Sequence, residues 1–174
     1  MPEPTPEPTP EARAGRGLTA LGEVACRYRA GEVSPADLPM IAAEALAAGL
    51  DTPTLCDLAG WPRGADAHDI RTAFEQALAE AGVGLPDPLL AQRHGLRRLA
   101  ARLLGGEATL AELGADDWWE TEVETAEERS FVQLLPQCSC CLEYAFALAP
   151  RRWEAELRTA ARALVASAPV GPGC

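Results

Sequence analysis

Helix starts and stops recur along this chain at short intervals, and they leave little room for any other element. Ser34-Pro35, Thr52-Pro53 and Asp87-Pro88 each place a capping side chain directly before a proline. The side-chain oxygen takes an orphan amide of the first turn, and proline at the first helical position gives up an amide that would lack a partner anyway. Asp66 plays the same role before "AHDIRTAFEQALAEAG", while Gly31, Gly49 and Gly60 follow the intervening stripes as stops. Thr109 and Glu112 form a capping-box pattern in "TLAELG". Pro39 sits one residue too deep for an undisturbed helix start, so the turn after Ser34 is expected to be distorted.

Between these marks the apolar residues keep helical spacing. Leu18, Leu21, Val24, Ala25 and Tyr28 form one stripe, and Ile70, Phe74, Ala77, Leu78 and Ala81 a second. A third runs through Leu89, Leu96, Leu99, Ala100 and Leu103. Two further helices are expected over residues 137–148 and 151–166, parted by Ala149-Pro150. Ile41 and Ile70 are the only isoleucines, so the stock for a large sheet is thin. Hydrophobic residues make up 48% of the chain and aromatic ones 5%, so leucine and alanine must fill most of the core. A chain of 174 residues can bury one real core, or two very small ones. The expected fold is all-α: a single compact domain of about seven or eight short helices over residues 17–167. Residues 1–16, with Pro-Glu-Pro-Thr repeated, read as a disordered tail, and 168–174 as a flexible one.

One internal similarity stands out. "LGEVACRYRAGEVSPADL" (21–38) and "LRRLAARLLGGEATLAEL" (96–113) align without a gap, matching Leu21 with Leu96, Ala25 with Ala100, Gly31 with Gly106 and Leu38 with Leu113. A duplicated helical hairpin would explain this, and so would the general suitability of a Gly stop and a hydroxyl cap for tight helix–helix turns. "AAGLDTPTLCDLAGWPRG" (47–64) and "RRLAARLLGGEATLAEL" resemble segments of small uncharacterised helical proteins from high-GC actinobacteria. The resemblance covers about a third of the chain and implies no activity, cofactor or binding residue.

The net charge is −11, which disfavours nucleic acid and anionic membranes as partners. All fifteen basic residues are arginine and asparagine is absent, a codon bias that points to a high-GC bacterial genome. No apolar run approaches the ~20 residues of a membrane span, and no apolar leader is recognisable at the N-terminus. A cytoplasmic setting follows, in which the six cysteines would be mostly reduced.

Two stretches carry candidate chemistry. Cys138, Cys140 and Cys141 form a C-x-C-C cluster. Read as packing, they are small apolar side chains. As a thiol switch they would draw on a helix N-terminus to form the thiolate. As a zinc site they lack a second knuckle, with Cys26, Cys56, Cys174, His68 and His94 as scattered fourth ligands. Trp118 and Trp119 lie between Asp116-Asp117 and Glu120. Adjacent helical side chains point about 100° apart, so one indole can enter the core while the other faces a basic partner. The arginine stripes Arg93, Arg97, Arg98, Arg102 and Arg151, Arg152, Arg158, Arg162 are expected to pair with the chain's own acidic segments. No H-E-x-x-H, G-x-S-x-G or Gly-rich phosphate loop occurs, and Glu127-Glu128 lacks a framework to part its pKa values. The sequence therefore reads as a non-enzymatic, acidic helical protein acting on a protein partner, as adaptor, inhibitor or immunity protein. It needs no cofactor; a thiol-based or zinc-responsive protein is the alternative.

Overall fold

The computed structural model describes residues 9–62, 64–109, 113, 118, 121–136 and 150–167. Among these residues the architecture is all-helical, with no strand. The helices are α1 (Pro10–Arg29), α2 (Leu38–Ala47), α3 (Pro53–Ala59), α4 (Ala67–Glu80), α5 (Pro88–Gly105), α6 (Ala126–Val132) and α7 (Pro150–Ala166). The stretch read from the sequence as one domain over 17–167 divides, by its contacts, into two compact units with the boundary at Pro86 and Asp87.

The caps act as the sequence implies. Thr52 accepts from the Leu55 amide, Asp66 from those of His68 and Asp69, and Asp87 from those of Leu89 and Leu90. Ser34 caps a single 3₁₀ turn, Pro35–Asp37, and α2 starts after it with Pro39 in its first turn. The distortion expected around Pro39 is thus resolved by a change of helix type, because a 3₁₀ turn places the proline where no amide is required.

The first unit packs α1 to α4 around Leu21, Ala25, Leu38, Leu55, Leu58 and Phe74, each essentially without exposed surface. Tyr28 lays its ring edge-on to Phe74, with centroids 5.1 Å apart and planes at 68°. The second unit packs α5, α6 and α7 around Leu96, Leu103, Leu113, Phe131, Leu157 and Leu164. Two residues of the expected stripes do not enter these cores: Leu18 and Leu89 stay exposed at 40% and 43%. Each lies in the first half of its helix, ahead of the turns that supply the core leucines.

The helix ends aligned by the internal similarity take the same conformation. Gly31 and Gly106 have φ of +79° and +76°. The next amide closes the turn in both, Glu32 onto the Arg27 carbonyl and Glu107 onto that of Arg102, each at 2.9 Å. A positive φ carries no steric penalty in glycine, so the six-to-one closure forms in both units. Leu21 and Leu96, Ala25 and Ala100, and Leu38 and Leu113 are buried alike.

One boundary needs correction. Residues 10–16, expected in the disordered tail, are the first turns of α1. Thr9 accepts from the Ala12 amide, with Pro10 at the first helical position and Glu11 in the first turn, the same start signal used downstream. Gly17 is buried, and a Cβ there would lie 3.1 Å from Ala48 and Leu50, so α1 sits close against the end of α2. Deleting residues 2–16 is therefore expected to lower the thermal midpoint by several degrees, about 1–2 kcal/mol for a unit this small. An unchanged midpoint in a calorimetric scan would show that the start of α1 contributes nothing.

Candidate functional site

The acidic stretch before α6 is organised by one carboxylate. Thr125 caps α6 and accepts from the Glu128 amide at 3.2 Å. Glu128 reaches back, and its Oε2 accepts from the amides of Glu124 at 3.0 Å and Thr125 at 3.1 Å. Its Oε1 accepts from Arg93 Nε on α5 at 2.9 Å, and Arg93 also donates to Glu124. The Glu128 side chain has no exposed surface, whereas that of Glu124 is 74% exposed. Burial pushes the Glu128 carboxyl up, but the two amides and the Arg93 guanidinium more than offset this and hold it below the ordinary range. The sequence-level pairing of the α5 arginines with the chain's own acidic segment is realised here.

Of the residues proposed as a partner surface, Trp118 is the one the structure describes. It occupies a short 3₁₀ turn whose carbonyl accepts from the Thr121 amide, and it packs half-buried against the core of the second unit. Its indole Nε1 is buried and has no hydrogen-bond partner among the described residues. Trp118 is thus an indole turned largely inward. Trp119, Asp116, Asp117 and Glu120 lie outside the described residues, and so do Cys138, Cys140 and Cys141.

The remaining described cysteines behave differently from each other. Cys26 is buried and disulfide-bonded, which departs from the expectation of reduced thiols. Cys56 is not its partner, being free and exposed. The Cys56 thiol lies 3.6 Å from Asp51 Oδ1. Desolvation, then the hydrogen bond to Asp51 and the charges of Asp51 and Asp57, push its pKa up, so it is not an activated thiolate. No cluster of three or more His, Cys, Asp or Glu side chains suited to a metal occurs among the described residues.

The second unit turns other arginines to structural use. Arg97 on α5 donates to the carbonyls of Leu164 and Ser167 and to the Ser167 hydroxyl, at 2.9, 3.2 and 2.8 Å, covering the end of α7. Arg158 on α7 donates to Leu103 O at 3.4 Å, near the end of α5, and pairs with Glu154 at 2.9 Å. Each helix thus supplies a cation to the carbonyl end of the other, where the helix dipole favours it. Arg152 pairs with Glu156 at 2.9 Å.

Sequence reasoning missed a cleft in the first unit, between the end of α1, the turn after it and α4. Its volume is about 310 Å³, and Tyr28, Arg29, Ser34, Arg71 and Glu75 line it. The Tyr28 hydroxyl donates to Glu75 Oε1 at 2.9 Å. Burial, then the hydrogen bond and charge of Glu75, push the phenol up to about 12, against the opposing pull of Arg71 and Arg29. No sequence signal marks this site, since Tyr28 reads only as part of an apolar stripe.

Comparisons with protein families, with curated proteins and with solved structures return no match to this chain. Its function therefore has to be read from its own residues. For Glu128 the pH consequence is direct. A carboxyl held below its unfolded value of about 4.3 stabilises the fold above that pH, and the contribution is lost as pH falls through the folded value. The urea midpoint of the natural chain is expected to drop more steeply between about pH 5 and pH 3 than that of Glu128→Gln, which has no such carboxyl to titrate. Parallel pH profiles would show that Glu128 has no depressed pKa.

Proposed function

We propose that this chain acts by protein–protein interaction, as a small acidic adaptor, inhibitor or immunity protein, on a partner with a basic surface. The supporting observation is how the second unit disposes of its positive charge. Arg93, Arg97, Arg152 and Arg158 are engaged with the chain's own carboxylates and helix ends. The chain nevertheless carries −11, so negative charge predominates on what is left for partners. Such a surface attracts cations from a distance and steers basic proteins into encounter. Glu122 and Glu124, shortly after Trp118 in the chain, are exposed. Trp118, Trp119, Asp116, Asp117 and Glu120 remain the residues proposed for the partner surface.

The same reading places the chain in the cytoplasm of a high-GC bacterium, with neither nucleic acid nor membrane as partner. Among the described residues no helix is long and apolar enough to cross a membrane. Disulfides found in a cytoplasm are usually redox-sensing or catalytic, so the one at Cys26 favours as the second reading the thiol-based alternative, through Cys138, Cys140 and Cys141 with or without zinc.

Affinity capture from the native host, with cytoplasm and envelope extracted separately, tests both parts. The expected result is a basic protein from the cytoplasmic extract, released as NaCl is raised from about 0.05 to about 0.5 M, where screening shortens to a few ångströms. Capture that survives high salt, or a partner found only in the envelope extract, would contradict the proposal.

A further inference from the structure

We propose that the cleft between the end of α1 and α4 is a binding site for a small carboxylate that also carries a hydrogen-bond donor, a hydroxyl or an ammonium group. Its volume of about 310 Å³ is at the lower end of the range of small-molecule sites, and polar side chains converge on it. Arg71 and Glu75 stand four residues apart on α4, the spacing at which they would ordinarily pair with each other. Here Glu75 is taken by the Tyr28 hydroxyl instead, at 2.9 Å. Tyr28 is itself held in place by its edge-on packing on the fully buried Phe74.

Arg71 is left without an ion pair among the described residues, and so is Arg29 across the cleft. Both arginines line the cavity together with Tyr28 and Glu75. Two cations and one carboxylate line this cavity, which leaves it locally positive in a chain whose net charge is −11. A planar guanidinium matches a carboxylate with two parallel hydrogen bonds. The Ser34 hydroxyl accepts from the Ala36 amide, and its own proton remains available to an acceptor in the cleft. Gly31 adds no side chain to the wall, and the space where a Cβ would lie is open. Glu75 sets the other half of the specificity. Its negative charge opposes multiply charged anions, and its second oxygen can accept from a ligand hydroxyl or ammonium. The ligand class is therefore that of hydroxy acids and amino acids, not of phosphates.

Titration of the full chain, labelled with ¹⁵N, against individual amino acids, lactate, malate and inorganic phosphate at fixed ionic strength tests the site. At least one amino or hydroxy acid is expected to shift the amides of Gly31, Ser34, Arg71 and Glu75 saturably. Arg71→Gln and Arg29→Gln should each weaken that binding about tenfold, the equivalent of one well-made charged hydrogen bond. Both side chains are exposed and make no bond within the described fold, so these variants are expected to keep the melting temperature. Tyr28→Phe keeps the ring packing but frees Glu75 for Arg71, and it should weaken binding as well. The proposal is overturned if no acid in the panel shifts these amides by about 10 mM, if phosphate binds as well as every carboxylate, or if the arginine variants bind undiminished.

Discussion

A full negative charge is buried in the second unit, and the way it is neutralised governs what the neighbouring elements can do. Glu128 has no exposed surface, yet its carboxyl is held in the ionised form. An isolated carboxylate in such a place would cost several kcal/mol. Three donors remove that cost: the amides of Glu124 and Thr125, just ahead of α6, and Arg93 Nε from α5. The Thr125 amide is the one that a capping box satisfies at a helix start. One side chain thus caps α6, fixes the path of the chain into it and fastens it to α5. Phe131, one turn further along α6, then points into the core with Leu96 and Leu157.

The other arginines of this unit extend the same economy of charge. Arg97 and Arg158 each cover the carbonyl end of the facing helix, so α5 and α7 are joined by polar contacts as well as by leucine packing. Positive charge engaged in this way, as at the largely buried Arg93, is held within the unit, while the chain as a whole carries −11. The first unit shows a local exception. Tyr28 takes up Glu75, the neighbour of Arg71 on α4, and Arg29 and Arg71 line the same cleft without an ion pair among the described residues.

Much of the fold was legible because its signals are local. A cap, a proline and a glycine stop act within one turn, and Ser34, Thr52, Asp66 and Asp87 all do what their positions imply. The start of α1 carried the same signal, Thr9 before Pro10, but lay inside a repetitive Pro-Glu-Thr segment whose composition outweighed it. The Thr125–Glu128 box was hidden in the same manner, within a run of glutamates that read as solvated charge. What the sequence withheld is long-range. Tyr28 and Glu75 are 47 residues apart, and Arg93 and Glu128 are 35 apart. No periodicity or spacing rule links such pairs. Trp118 illustrates the limit for sites: its acidic neighbours suggested a surface, and only the packing shows it half-buried against the core of the second unit.

Arg93 and Glu128 act as one unit in holding α6 to α5. A double-mutant cycle with Arg93→Leu, Glu128→Leu and the pair together, followed by urea denaturation of the whole chain, tests this coupling most directly. Each single variant leaves one charge without its partner and is expected to cost about 3–5 kcal/mol. The double variant should lose little more than one single variant does, giving a coupling energy of about 2 kcal/mol or greater. Losses that add to within about 0.5 kcal/mol would mean that the two side chains stabilise the protein independently, which contradicts their action as a unit.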